Sequence, residues 1–213
     1  MKVAIIGATG FIGSKILSEA ISRGHEVTAI ARNIEKLPSH ILITPQKCDV
    51  MNNVELTRLL VGHEAVISAY NPGWSDPEIY NHQLEGSGSI LKSVKKSGVK
   101  RLLVVGGAGS LEVAPGVQFI DTPSFMKEFK DGASSTREFL NILRKENELK
   151  WTFLCPSIII EPGSRTERFR VVNDNLILDE NGISRISVED YAVAMIDELE
   201  HPKHTGRRFT VGY

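Results

Sequence analysis

Seven residues near the start of the chain have the types and spacing to hold an anion. Gly7-Ala8-Thr9-Gly10-Phe11-Ile12-Gly13 follows the apolar run Met1–Ile6 and precedes an amphipathic stretch, Ser14 to Arg23, closed by Gly24. The order reads as strand, glycine-rich turn, helix. Gly7 lets the chain leave the strand in a conformation that a Cβ opposes, and Gly10 leaves room for phosphates beside the backbone. Gly13 lets the helix pack tightly on the strand. Free N–H groups at the helix start then attract negative charge, helped by the helix dipole. The spacing is G-x-x-G-x-x-G, and its place between a strand and a helix makes it a dinucleotide-binding turn rather than an ordinary tight one. Gly7, Thr9, Gly10, Phe11, Ile12 and Gly13 are its cofactor-binding residues.

Further groups extend that site along the chain. Arg32 stands nineteen residues after Gly13, at the end of the second strand, where an adenosine ribose lies in such units. An acid there holds the 2′-hydroxyl of NAD; a basic residue accepts the 2′-phosphate of NADP. Arg32 therefore argues for NADP(H) over NAD(H), with Lys36 as a weaker second contact. Asp49 and Val50 follow the third strand, placed to meet the adenine amino group and ring; Asp49 can equally cap the next helix. Ser68, Ala69 and Tyr70 end the fourth strand and are assigned to the cofactor. Tyr70 and Trp74 flank a turn at a strand's carboxyl end, where open α/β sheets bind ligands, and either can stack on a flat molecule. Gly106-Gly107-Ala108-Gly109-Ser110 follows the fifth strand; its glycines leave space for a flat ring, and nicotinamide suits it.

The elements that must position these groups alternate regularly. Strands are expected at Met1–Ile6, His25–Ala31, Ile41–Cys48 (interrupted by Pro45), Ala65–Ala69, Arg101–Val105 and Leu149–Cys155. Helices are expected at 14–23, near 53–60, at 77–97 and from a cap at Ser134 or Ser135 to about Glu148. Leu111–Phe125 reads as a long substrate-facing loop. Arg168–Ser187 breaks the alternation and reads as short antiparallel strands with Asn-Gly type turns. Ser187-Val188-Glu189-Asp190 resembles a capping box with Asp for Glu. It opens a helix that buries Tyr191, Ala192, Met195, Ile196 and Leu199, and a strand at 208–211 ends the chain. The fold class is α/β: a Rossmann-type doubly wound parallel sheet with a small C-terminal α/β elaboration. A single NAD(P)-binding domain spans 1–213, with a core at 1–156 and the elaboration at 157–213.

Composition excludes other classes. The 213 residues are 41% hydrophobic and carry a net charge of −1, so bulk charge recruits neither nucleic acid nor an anionic membrane. No apolar stretch approaches the roughly 20 residues of a membrane span, and the N-terminal run is too short for a signal peptide. Cys48 and Cys155 read as buried thiols of a cytoplasmic protein. The six scattered histidines give no metal-ligand set.

The motif at 7–13, the stretch Gly106–Gly109 and Ile186-Ser187-Val188-Glu189-Asp190-Tyr191-Ala192 resemble an atypical branch of the short-chain dehydrogenase/reductase superfamily. Within it the whole chain is similar to bacterial NADH-flavin reductases of the NmrA-like, NAD(P)-binding type. The similarity is close over Leu102–Gly116 and in the C-terminal Phe209-Thr210-Val211-Gly212-Tyr213. Flavin reductase and biliverdin reductase B proteins are more distant. The resemblance implies hydride transfer from NADPH to a flat acceptor, with free flavin (FMN or FAD) as substrate rather than prosthetic group. In those relatives a Ser follows the fifth strand and a His the sixth. Here the matching stretches carry Gly109-Ser110 and Pro156-Ser157, so Ser110 and Ser157 are the candidates for orienting a substrate carbonyl. Pro156 and Gly109 lie on the same substrate side.

One departure matters. Carbonyl-reducing members use a Tyr-x-x-x-Lys pair, but the residues four beyond Tyr70, Tyr80 and Tyr191 are Trp74, Leu84 and Met195, and Tyr213 ends the chain. Without that proton donor, alkoxide-forming chemistry loses weight. The same absence motivates a second reading, a non-catalytic NADP-sensing regulator of the NmrA type. A third is a carbonyl reductase that uses Ser110, Ser157 or Tyr70.

Overall fold

The computed structural model describes all 213 residues. β1 (Lys2–Ile6) runs into α1 (Phe11–Ser22), and β2 (Glu26–Ala31) follows it. β3 (Ile43–Lys47), α2 (Asn53–Leu60), β4 (Ala65–Ser68), α3 (Ile79–Ser97) and β5 (Arg101–Val105) continue the alternation. The short pair β6 (Glu112–Ala114) and β7 (Val117–Gln118) precedes α4 (Lys130–Leu143) and β8 (Lys150–Cys155). β9 (Ile159–Glu161), β10 (Arg170–Val172), β11 (Arg185–Ser187), α5 (Val188–Glu200) and β12 (Arg207–Gly212) complete the chain.

Eight strands form one sheet in the order β10-β12-β8-β5-β4-β1-β2-β3. Every pairing in it is parallel except that of β10 with β12. Parallel strands are covered on both faces, so their residues are apolar in both directions. Val3 and Ile5 of β1 face the cluster that includes Ile16, Leu17 and Ala20 of α1 and Tyr191, Met195 and Ile196 of α5. Ala4 and Ile6 face the opposite cluster, with Leu56 and Leu60 of α2, Ile90 and Val94 of α3, and Phe139 and Leu140 of α4. β1 pairs with β2 on one side and β4 on the other. The chain order of the strands reverses there, and a crevice opens at their carboxyl ends.

Several expectations need correction. The third strand is shorter than 41–48. It is an edge strand, and there Pro45 costs little because one side of the strand has no partner to satisfy. α3 starts at Ile79 rather than Pro77, and Gly98 ends it in the left-handed conformation (φ 84°). α4 starts at Lys130, five residues before Ser135, and ends at Leu143 rather than near Glu148. Neither Ser134 nor Ser135 caps it: both lie inside the helix, where the Ser135 hydroxyl, like that of Thr136, donates back to the Gly132 carbonyl. Within the expected loop 111–125, β6 and β7 pair in an antiparallel hairpin around Gly116.

The 168–187 segment is not a set of hairpins. β10 joins β12 antiparallel at the edge of the main sheet, β11 lies parallel to β9, and Leu176–Leu178 forms no strand. Each piece gains backbone partners from distant chain, which local turn signals do not reveal. The capping box is half formed. Ser187 Oγ accepts the Asp190 N–H at 3.0 Å, but the Ser187 N–H donates to the Tyr213 hydroxyl instead of to Asp190. Asp190 is occupied elsewhere: it accepts from Thr166 N–H, Glu167 N–H, the Thr166 hydroxyl and the Tyr213 hydroxyl. Burial opposes its ionisation, and these donors outweigh burial and hold its carboxyl below the usual range.

Candidate functional site

A cleft of about 870 Å³ opens at the carboxyl ends of the central strands. Its first end is the turn between β1 and α1. Gly7 has φ 80°, and a Cβ at Gly13 would overlap the Gly7 carbonyl oxygen. Gly13 therefore packs the helix on the turn. The N–H groups of Phe11, Ile12 and Gly13 have no acceptor in the protein, and no acidic residue lies in the first turn of α1. Three unused donors and a positive helix end fit a pyrophosphate.

Asn33, Arg32 and Lys36 line the same end beyond β2. The Arg32 guanidinium reaches the Pro72 carbonyl only at 3.5 Å and makes no ion pair, so it is free to turn to an anion. Asp49 and Val50 line the wall after β3. Asp49 does not cap α2: Asn52 does, accepting the Glu55 N–H, while Asp49 Oδ1 accepts the Met51 N–H at 2.9 Å. The neighbouring Cys48 thiol also lines the cleft. Burial, then the Glu55 and Asp49 carboxylates, push its pKa up, which keeps it protonated.

The other end is floored by Gly106, Gly107, Ala108 and Gly109 after β5. Tyr70 rises beside it, its ring against Gly86 of α3 and its hydroxyl donating to the His82 carbonyl at 3.1 Å. Burial raises the Tyr70 pKa, so this phenol remains a donor and not a base at neutral pH. Trp74 packs on Gly132 and meets Phe129 edge to face at 5.3 Å between centroids. Phe119, Phe125 and Met126 continue this apolar wall.

The structure brings most of the expected residues to one cleft: Gly7, Thr9, Gly10, Phe11, Ile12, Arg32, Asp49, Val50, Ala69, Tyr70, Trp74, Gly106, Gly107, Gly109, Pro156 and Ser157 all line it. Gly13 acts from beneath, through packing. Ser68 does not line the wall; it is buried within β4.

Ser110 is also off the wall and 2% exposed. Its hydroxyl donates to the Gly107 carbonyl at 3.2 Å and lies 3.7 Å from Cys155 Sγ. Behind it, the Arg208 guanidinium donates to the Ser110 carbonyl. Burial pushes the Cys155 thiol up to about 11, so it stays protonated. Ser157 does line the cleft, although its hydroxyl is committed to the Val211 carbonyl at 2.9 Å. Tyr70 and Lys36 both line the cleft, but the sequence has no Tyr-x-x-x-Lys pair. Tyr70 is the sole tyrosine on its wall, and the fully buried Tyr191 donates to the Leu154 carbonyl at 2.7 Å.

Phe119 and Phe125 reach the wall from the expected substrate-facing segment 111–125, whereas sequence reasoning missed Gln83, Met126, Phe129 and Ile160, which also line it. The cluster of three phenylalanines and a methionine over eleven residues, 119–129, was a usable signal: so many apolar groups in a segment read as loop need something to cover.

A family model described as NAD(P)H-binding matches residues 7–199. Three solved structures are similar over the whole chain. A Bacteroides thetaiotaomicron protein provisionally called an epimerase is 46% identical, with a TM-score of 0.94, and is covered over 96% of its length. A Burkholderia pseudomallei protein provisionally called exported is 40% identical, with a TM-score of 0.90 and 100% coverage. A Streptococcus pneumoniae protein provisionally called an NADH-flavin reductase is 36% identical, with a TM-score of 0.86 and 99% coverage. No helix of the chain is long and apolar enough to cross a membrane. The chain belongs to the NAD(P)H-binding family, and its fold is of the Rossmann type.

Proposed function

We propose that this NAD(P)H-binding protein is an NADPH-dependent oxidoreductase of the cytoplasm whose acceptor is a flat small molecule, a free flavin first among them. One observation carries the reading. A single cleft joins a helix start with free N–H groups to a glycine floor walled by aromatic side chains, in a sequence with no Tyr-x-x-x-Lys pair. When bound, the cofactor supplies the hydride. The chain's own groups do the rest.

Phe11, Ile12 and Gly13 N–H groups hold the pyrophosphate. Arg32, with Lys36 behind it, takes the 2′-phosphate. Asp49 and Val50 face the adenine. Gly106 and Gly107 floor the ring site; a Cβ at Gly106 would strike the buried Phe153 ring, so glycine there lets this floor lie close on the core. Trp74, Phe125 and Phe129 exclude water and stack the acceptor on the cofactor. An acceptor that spreads its new charge over a conjugated ring draws its proton from solvent, so positioning supplies most of what this site must contribute.

The test is oxidation of NADPH by purified protein against FMN, riboflavin, simple quinones and ketones. Flavin-dependent turnover above background, with ketones inert, is the expected result. Tight NADP binding without turnover of any acceptor would instead support a regulator, and ketone reduction would point to the Tyr70 hydroxyl as the proton donor.

A further inference from the structure

The C-terminal strand breaks the apolar pattern of the sheet. Phe209 and Val211 of β12 point into the cluster shared by α1 and α5, so Arg208 and Thr210 face the opposite side. There Arg208 lies beside Phe153 of β8, and Thr210 beside Cys155. Arg208 is only 3% exposed. Its one carboxylate partner, Asp174, is half exposed and accepts from Nε at 3.0 Å and from Nη2. A hydrated carboxylate compensates a buried guanidinium poorly, and an aliphatic side chain in this place would avoid that cost.

The guanidinium instead holds the ring end. Its Nη1 donates to the carbonyl of Ser110, the last residue of the short helical turn that follows Gly107. That turn rests on the same face of the sheet: Gly106 lies over the Phe153 ring, and the Ser110 hydroxyl lies against Cys155 Sγ. Asp174, held by Arg208, accepts the Glu112 N–H at its backbone carbonyl, just beyond the turn. Further along β12, the Thr210 hydroxyl donates to the Cys155 carbonyl, and the Val211 carbonyl accepts the Ser157 hydroxyl. A Cβ at Gly212 would lie 2.7 Å from Ser157 Oγ. The floor at 106–110 and the wall at 156–157 are therefore both set by the last strand of the chain.

We propose that Arg208 is a positioning residue for the ring end. It does not line the cleft; it fixes the backbone on which the nicotinamide and the acceptor lie. The inference rests on the reading of Gly106–Gly109 as that platform. The hold is on the Ser110 carbonyl, so the Ser110 side chain can be removed without releasing the turn.

Two ligands separate the ends of the cleft. Adenosine 2′,5′-bisphosphate reaches only the adenosine end. NADPH also lays its nicotinamide on the floor, where the fluorescence of the reduced ring reports its surroundings. Arg208→Met should weaken NADPH about tenfold and shrink the change in its emission on binding, with bisphosphate affinity held within about twofold. Arg208→Lys keeps a cationic donor and should return NADPH affinity to within about threefold of wild type. If the Met variant does not fold, Arg208→Gln, too short and uncharged, carries the same expectation. Equal weakening of both ligands would overturn the proposal. So would a loss of thermal stability with NADPH affinity and emission unchanged, or a Lys variant as impaired as Met. The expected pattern in these variants, with no acceptor reduced by wild-type protein, would reject the oxidoreductase reading and leave the role of Arg208 standing.

Discussion

The two ends of the cleft are built by different means. At the phosphate end the ligand meets backbone: N–H groups of one turn and the start of one helix, set by residues that lie within seven positions of one another. At the ring end it meets side chains drawn from the β4–α3 connection, α3, the 106–129 segment, α4 and the stretch after β8. A backbone site depends on a few glycines and tolerates little change at them. A side-chain site spreads its affinity over many contacts and can change ligand without refolding.

Five measurements would break or sharpen the contrast, the largest effect first. Gly13→Ala forces a Cβ into the Gly7 carbonyl and must push α1 off the turn. NADP affinity should fall at least about a hundredfold, with roughly 1–3 kcal/mol of stability lost to overpacking. Calorimetric titration and thermal unfolding check both, and near-normal binding would show that the phosphate end is more pliant than its packing implies.

Acid should act on the other half of the molecule. Asp190 ties the segment after β9 and the C-terminal Tyr213 to α5, and the donors around it hold its folded pKa below the ordinary aspartate value. Its ionised form therefore stabilises the protein above that value, and the contribution is lost as pH falls through the lower, folded pKa. Asp190→Asn should cost roughly 2–3 kcal/mol at neutral pH and flatten the acid limb of the stability curve below about pH 4. An unchanged limb would remove Asp190 as its cause.

Arg32→Ala should weaken NADPH by about ten- to a hundredfold, the worth of one charge-assisted contact of roughly 1.5–3 kcal/mol, and leave NADH nearly unchanged. Equal losses for both cofactors would place Arg32 away from the 2′-phosphate. Trp74→Ala removes one wall of the ring end and its edge-to-face contact with Phe129. The acceptor KM should rise about three- to tenfold while NADPH affinity stays within about twofold; a fall in NADPH affinity instead would mean the two ends are mechanically coupled. Smallest of all, Ser110→Ala should change turnover by less than about threefold, because its hydroxyl faces Gly107 and Cys155 rather than the cleft. A large loss would reopen the part assigned to it by its resemblance to a serine in related proteins.

The phosphate end was legible before any coordinates because it is local. Three glycines between a strand and a helix dictate a turn, and the turn dictates the donors. Arg32 was legible too, since a fixed number of residues carries the chain from the turn to the end of the next strand. The ring end was legible only in part. Tyr70, Trp74 and Gly106–Gly109 stand out as aromatics and glycines at strand ends, but Gln83 on α3 reaches the wall only through the packing of α3 beside α4, which no local pattern announces. Ser110 failed in the opposite direction: its position in the chain suggested a site residue, and one short helical turn at 108–110 directs its hydroxyl inward.

The sequence by itself determined the parallel α/β alternation, the nucleotide turn and the basic residue beside it, since each follows from periodicity or from spacing within one βαβ unit. The tertiary structure decided how the last quarter of the chain pairs, with β10 at the far edge of the sheet and β11 against β9. It also decided which side chains meet above the glycine floor. Those outcomes depend on contacts between residues tens of positions apart, where backbone partners and packing, not local preference, select the arrangement.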